Sequence, residues 1–196
     1  MVNIAVFISG GGTDLQSIID AEKSGFINGK IQCVISSKKD AYGLTRAAKA
    51  DIPAFFSRDN DEIEKLLEEY KIDLIVLAGY LAIIPDRLIK KYPDSIINIH
   101  PALIPSFCGM GYYGMHVHEA AFKKGVKVAG ATVHFVSNEV DGGPIILQEA
   151  CDVSKAESPY EMQQMVLEIE HRILPLAVKY YCNDQLVVKD ERVIIK

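Results

Sequence analysis

Residues 3–20 read NIAVFISGGGTDLQSIID. The run over 3–9 is almost entirely apolar, with Ile4, Ala5, Val6, Phe7 and Ile8 consecutive. An alternating pattern would mark a strand with one wet face, whereas an unbroken one marks a strand covered on both. Three glycines follow, and then a helix is expected over 13–23. Strand, glycine bend and helix in this order open a β-α-β unit, and the next eighty residues repeat the theme.

Further strands are read at 31–37 (IQCVISS), 52–56 (IPAFF), 73–80 (DLIVLAGY) and 95–100 (SIINIH). Helices are read between them at 42–50, 59–70 and 85–91. Apolar strands separated by helices imply a parallel sheet with helices on both faces. The rhythm changes after residue 100. A glycine-rich loop runs over 101–114, a helix over 115–124, and two long strand-like segments over 126–137 and 144–154. Only NEVDGG separates those two, which suits an antiparallel pair. A long helix over 159–181 and a terminal hairpin turning near Asp190 and Glu191 complete the chain. The expected fold is therefore α/β: a Rossmann-like open twisted sheet, parallel in its N-terminal half and antiparallel in its C-terminal half. No repeat or linker marks a boundary, so a single domain over 1–196 is expected.

Gly10, Gly11 and Gly12 let the backbone approach a ligand, and the free N–H groups of the following helix attract an anion. Thr13 and Gln16 have capping-box spacing. A phosphate is the natural guest, although a tight strand-to-helix turn would need the same glycines. No lysine completes a Walker loop, and the third position of a dinucleotide fingerprint falls on Leu15. A phosphomonoester fits this loop better than NAD.

The stretch SIINIHP raises a second question. Asn98 and His100 share one face of a strand, opposite Ile97 and Ile99, and stand at its carboxyl end. Ligands of open α/β sheets gather there. An imidazole at that place can move protons near neutral pH, and an amide can donate to a developing oxyanion. Taken alone, the pair is better read as a His-Pro turn with a satisfied surface histidine. Asp141, in NEVDGGP, is a carboxylate in an irregular turn that would orient and charge an imidazole within reach. His134, inside ATVHFV, reads as a core histidine bonded to backbone, and His171 as a structural or surface residue of the last helix. His116 and His118 have the spacing of metal ligands in a strand, but a helix is expected there and no third ligand is evident, so no metal is expected.

The chain is 49% hydrophobic and 24% charged, with a net charge of -5 and no basic stripe, which argues against a nucleic-acid surface. Four cysteines, at 33, 108, 151 and 182, include no C-x-x-C pair and read as reduced thiols. The N-terminal MVNIAVFISGGG has no basic n-region and too short an apolar run to span a membrane. A cytoplasmic location without membrane contact is expected.

Together ISGGGTDLQSII, NIHPALIP and ATVHFVSNEVDGGPIILQ, in this order and spacing, resemble the folate-dependent formyltransferases. The resemblance covers nearly the whole chain, and N-x-H-P combined with D-G-G-P is its specific part. It implies formyl transfer from 10-formyltetrahydrofolate to the amine of glycinamide ribonucleotide, with no metal. It implies a catalytic trio of Asn98, His100 and Asp141. Gly11, Gly12, Thr13 and Asp14 would hold the phosphate, and Glu170 the ribose hydroxyls. The folate pocket would comprise Leu81, Ala82, Ile83, Ile84, Ser137, Asn138, Glu139 and Val140, with Arg58 standing in for a tail-binding arginine. Many relatives carry an arginine at the place of Ala82. The loop SFCGMGYYGMHVH is longer than in many relatives and reads as a lid or as a flexible surface loop. The partners implied are small molecules, with the chain a monomer or homodimer.

Rivals on the same core are a tRNA formyltransferase, a formyltetrahydrofolate hydrolase and a sugar-nucleotide formyltransferase, each usually longer. A Rossmann-like oxidoreductase and a non-enzymatic nucleotide sensor are the rivals of other classes.

Overall fold

Strand β1 (Val2–Ile8) is an inner strand of a seven-stranded sheet, in the computed structural model that describes residues 1–196. Its unbroken apolarity follows from its place. Ile4, Val6 and Ile8 face one core, and Ala5 and Phe7 face another on the opposite side. The first core takes in Leu15, Ile18 and Ile19 of α1 (Thr13–Lys23) and Ile169, Ile173 and Leu174 of α6 (Pro159–Cys182). The second takes in Ile63 and Leu67 of α3 (Asn60–Glu69) and Leu88 of α4 (Asp86–Lys91). Each fully buried aliphatic side chain contributes about 1.5–3 kcal/mol, so the two-sided burial of β1 anchors the sheet.

The strand order is β3-β2-β1-β4-β5-β6-β7, where β2 is Gly29–Ser36, β3 Ala54–Phe56, β4 Leu74–Leu77, β5 Ile96–His100, β6 Val128–Phe135 and β7 Ile145–Asp152. Pairing is parallel from β3 to β5 and antiparallel for β5–β6 and β6–β7. Helix α2 (Tyr42–Lys49) links β2 to β3, and α5 (Met115–Lys124) precedes β6. A small hairpin, β8 (Leu186–Lys189) and β9 (Arg192–Ile195), ends the chain. Asp190 and Glu191, at φ 49° and 58°, form its turn, as a two-residue hairpin link requires.

The expected α/β sheet, parallel then antiparallel, is the one observed. Three local expectations need correction. The segment 73–80 is a strand only as far as Leu77, because the chain turns at Gly79, with φ 72°. The segment 52–56 pairs only from Ala54. The capping box at 13–16 does not form. The N-cap is Gly12, in the left-handed region at φ 70°, and Thr13 is already helical. Gln16 instead donates to Asp20 and accepts from Arg46. The first turn of α1 therefore has no side-chain cap, and its N–H groups stay available.

Candidate active site

The order of the sheet reverses direction between β1 and β4, and a crevice opens beyond their carboxyl ends, where open α/β sheets bind ligands. It is a cleft of about 750 Å³. Its walls are the glycine bend after β1, the 78–84 loop after β4, the end of β5, the 109–114 segment and the 136–141 turn. Ser9 fastens two of these walls together. Its buried hydroxyl lies 2.6 Å from that of Ser37 and accepts the Leu81 N–H at 2.8 Å.

At one end lies the bend of Gly10, Gly11 and Gly12. A side chain at Gly12 would need a left-handed backbone, and its Cβ would sit 2.7 Å from the Cα of Gly43 in α2. Arg46 of α2 donates from Nε to the Gly11 carbonyl at 2.8 Å, and Lys38 lines the wall nearby. Uncapped helix N–H groups with two flanking cations suit an anion. Thr13, Asp14 and Glu170 line the cleft with the bend. Burial pushes the Asp14 carboxyl up to about 6. Burial, and then the charge of Asp14, pushes Glu170 well above the usual carboxylate range.

At the end of β5 the NIHP and DGGP segments singled out in the sequence meet, beside the 107–109 loop. The Nδ1 of His100 lies 3.6 Å from Oδ2 of Asp141, and its Nε2 donates to the Phe107 carbonyl at 2.8 Å. Asp141 also accepts the Gly109 N–H at 2.8 Å, and its backbone has φ 57°. Burial raises its carboxyl, but His134, the charge of His100 and the Gly109 N–H together outweigh this and hold it below the usual range. His100 has two acceptors, Asp141 and the Phe107 carbonyl, that favour its charged form. Burial opposes them, with His134, and holds the imidazole below its usual value. It therefore rests neutral at neutral pH.

Asn98 is placed by a residue that the sequence reading treated as core. Asn98 pairs with His134 across β5–β6, and its amide lies 3.1 Å from His134 Nε2. The other nitrogen, Nδ1, donates to the Phe135 carbonyl at 2.8 Å. That fixes the tautomer, so Nε2 accepts from Asn98 and one amide hydrogen stays free. His134 is bonded to backbone, as expected, but it also orients Asn98 and stands 3.7 Å from Asp141. The strand register that brings it there is not written in either segment alone.

Leu81, Ala82, Ile83, Ile84, Ser137, Asn138, Glu139 and Val140 all line the cleft. Leu81, Ile83 and Val140 are exposed, as is Met110, and together they make an apolar mouth. Arg58 is not part of the wall; its Nε donates to the Ser37 carbonyl at 2.8 Å. Lining residues missed in the sequence include Tyr80, Tyr112, Tyr113 and His118. His118 is 2% exposed, and burial, then His100, pushes its imidazole down to about 4. It shares α5 with the exposed His116, so their spacing does not aim both at one point. Cys108 donates its thiol hydrogen to the Pro105 carbonyl, and burial, with Asp141 and Glu139, raises its pKa. No cluster of three or more His, Cys, Asp or Glu side chains is arranged to hold a metal.

A family model described as formyl transferase matches residues 2–178. The phosphoribosylglycinamide formyltransferase of Haemophilus influenzae is 44% identical, over 97% of this chain and 92% of its own length. The crystal structure of glycinamide ribonucleotide transformylase 1 from Symbiobacterium toebii superposes with a TM-score of 0.92 at 39% identity, covering 100% of this chain and 94% of that one. A formyltetrahydrofolate deformylase from Pseudomonas syringae pv. tomato shares the fold, with a TM-score of 0.90 at 28% identity, over 99% of this chain and 65% of that one. With its family match spanning the parallel sheet, the histidine strand and the DGGP turn alike, the chain belongs to the formyl transferase family.

Proposed function

We propose that this chain transfers a formyl group from 10-formyltetrahydrofolate to the amine of glycinamide ribonucleotide, giving formylglycinamide ribonucleotide and tetrahydrofolate in purine biosynthesis. The supporting observation is one cleft that joins an anion-binding bend to the Asn98, His100 and Asp141 cluster and then to an apolar mouth. The phosphate seats on Gly11, Gly12 and Thr13, the ribose faces Asp14 and Glu170, and the pterin enters between the 81–84 and 137–140 walls.

The substrate amine attacks the formyl carbon, and the carbonyl oxygen becomes negative. The free Asn98 amide hydrogen and the His100 Nε2–H are its donors. For His100 this means that the formyl oxygen replaces the Phe107 carbonyl as acceptor. The proton leaving the amine passes through water to the neutral His100, and Asp141 stabilises the imidazolium that forms. The bond from carbon to the folate N10 then breaks, and the proton is delivered to that nitrogen. No side chain acts as nucleophile and no metal enters a step. The chain works as one formyltransferase domain on small molecules, in the cytoplasm, as a monomer or homodimer, without nucleic acid or membrane.

The likeness to a deformylase supports a second reading, in which water takes the place of the amine. The two separate in one assay. Tetrahydrofolate should appear only when glycinamide ribonucleotide is present, in equal amount with the formylated product. Stoichiometric formate in its absence overturns the transferase reading.

A further inference from the structure

Asp14 is an unusual occupant of an anion site. It lies in the first turn of α1, directly behind the glycine bend, and is 8% exposed. Its Oδ1 is sealed from solvent without a hydrogen-bond partner. A nearby group able to carry positive charge is His171 Nε2, at 3.8 Å, which is itself sealed and unpartnered. Burial, and then Arg46, lowers the pKa of His171, so it offers no fixed charge at neutral pH. On α6, beside His171, Glu170 lines the same end of the cleft and is 6% exposed. Across from them on α2, Arg46 is committed to the Gly11 carbonyl and Gln16. Lys38, after β2, is the remaining cation of the wall. Two buried carboxyls that feel each other, without a dedicated cation, do not both ionise readily.

We propose that Asp14 and Glu170 form a proton-sharing carboxyl pair, and that the pair retains its proton when the ribonucleotide phosphate docks, so that Asp14 sets the upper pH limit for substrate binding. The inference rests on reading the glycine bend and Glu170 as the ribonucleotide end. A phosphomonoester is close to a dianion at pH 7 to 8 and would be a third negative charge beside the pair. Its arrival favours the protonated pair, so at a pH where the free pair is partly ionised binding draws a proton from solution. A pair with one proton also presents a donor and an acceptor to the ribose hydroxyls, which two carboxylates do not.

The test is calorimetric titration of the full chain with glycinamide ribonucleotide at pH 7.5, in two buffers of different ionisation enthalpy, for the native protein and for Asp14→Asn. The native protein should take up more protons per ligand than the variant. Its apparent dissociation constant should climb between pH 6.5 and 8.5, at up to about tenfold per unit, and that of the variant less steeply. The phosphate's own titration is common to both proteins and cancels. Equal proton uptake and equal slopes overturn the proposal. Absence of any binding to the native protein condemns the ribonucleotide site itself, and the pair is then judged in the ligand-free protein. There the carboxyl carbons of Asp14 and Glu170, followed by NMR, should titrate above the ordinary range, and Glu170 should move down in Asp14→Asn. Ordinary titration of both overturns the pair independently.

Discussion

His100 is held between the Phe107 carbonyl and the Asp141 carboxylate, and in the proposed reaction it releases the first and keeps the second. On the proposed mechanism, replacing it with alanine removes both the oxyanion donor and the proton carrier. We expect kcat to fall by about 10²–10⁴ with an unchanged circular dichroism spectrum; turnover within a factor of a few of native removes His100 from the chemistry. Asp14 carries a prediction of stability. Its carboxyl is raised from 3.8 to about 6, so the folded state binds that proton more tightly than the unfolded one. Stability then falls as pH climbs from about 4 to 6, and the full cost persists above 6. Asp14→Asn should be the more stable protein at pH 8, by about 2–3 kcal/mol, with the gap closing toward pH 4 in denaturant titrations. At this scale Asn98, His100 and Asp141 were legible because strand alternation and turn chemistry single them out. His134 was only half legible, since its bond to Asn98 arises from pairing between strands more than thirty residues apart.

Among the elements, the bend between β1 and α1 combines a left-handed backbone with close approach to α2. Gly12→Ala meets both obstacles at once, at φ 70° and with a Cβ 2.7 Å from the Gly43 Cα. It should cost about 1–3 kcal/mol and raise the KM for the ribonucleotide more than that for the folate, in steady-state assays of both substrates. Equal changes in the two would place the bend outside the phosphate site. Most helices and strands were readable within two or three residues, because apolar runs and periodicity report burial. The capping box misled, because a spacing of three does not say which residue leaves the helix; Gly12, with no Cβ, turned the chain one position earlier. The 101–114 loop was legible as a loop and not as a wall. Its contacts to His100 and Asp141 come from the Phe107 carbonyl and the Gly109 N–H, and backbone atoms leave no signature in side-chain identity.

For the molecule as a whole, alternation of strand and helix disclosed a parallel sheet but not its order. That β4 returns to the other side of β1 creates the crevice, and neither strand's residues state it. The change to antiparallel pairing at β5 was legible later in the chain, from the six-residue link before β7. Ser9 stands where the two directions part, and its hydroxyl touches Ser37 on one side and Leu81 on the other. Ser9→Ala should weaken both substrates together, about threefold to tenfold each for the loss of roughly 1 kcal/mol of hydrogen bonding. A rise in only one KM would show the walls to be independent.

That seam has an implication for how the enzyme handles an incomplete load. A single oxygen atom joins the linings of the two compartments that the proposed reaction assigns to the sugar phosphate and to the pterin. Filling one chamber should therefore stiffen the other, and the two ligands should each bind more tightly in company than alone.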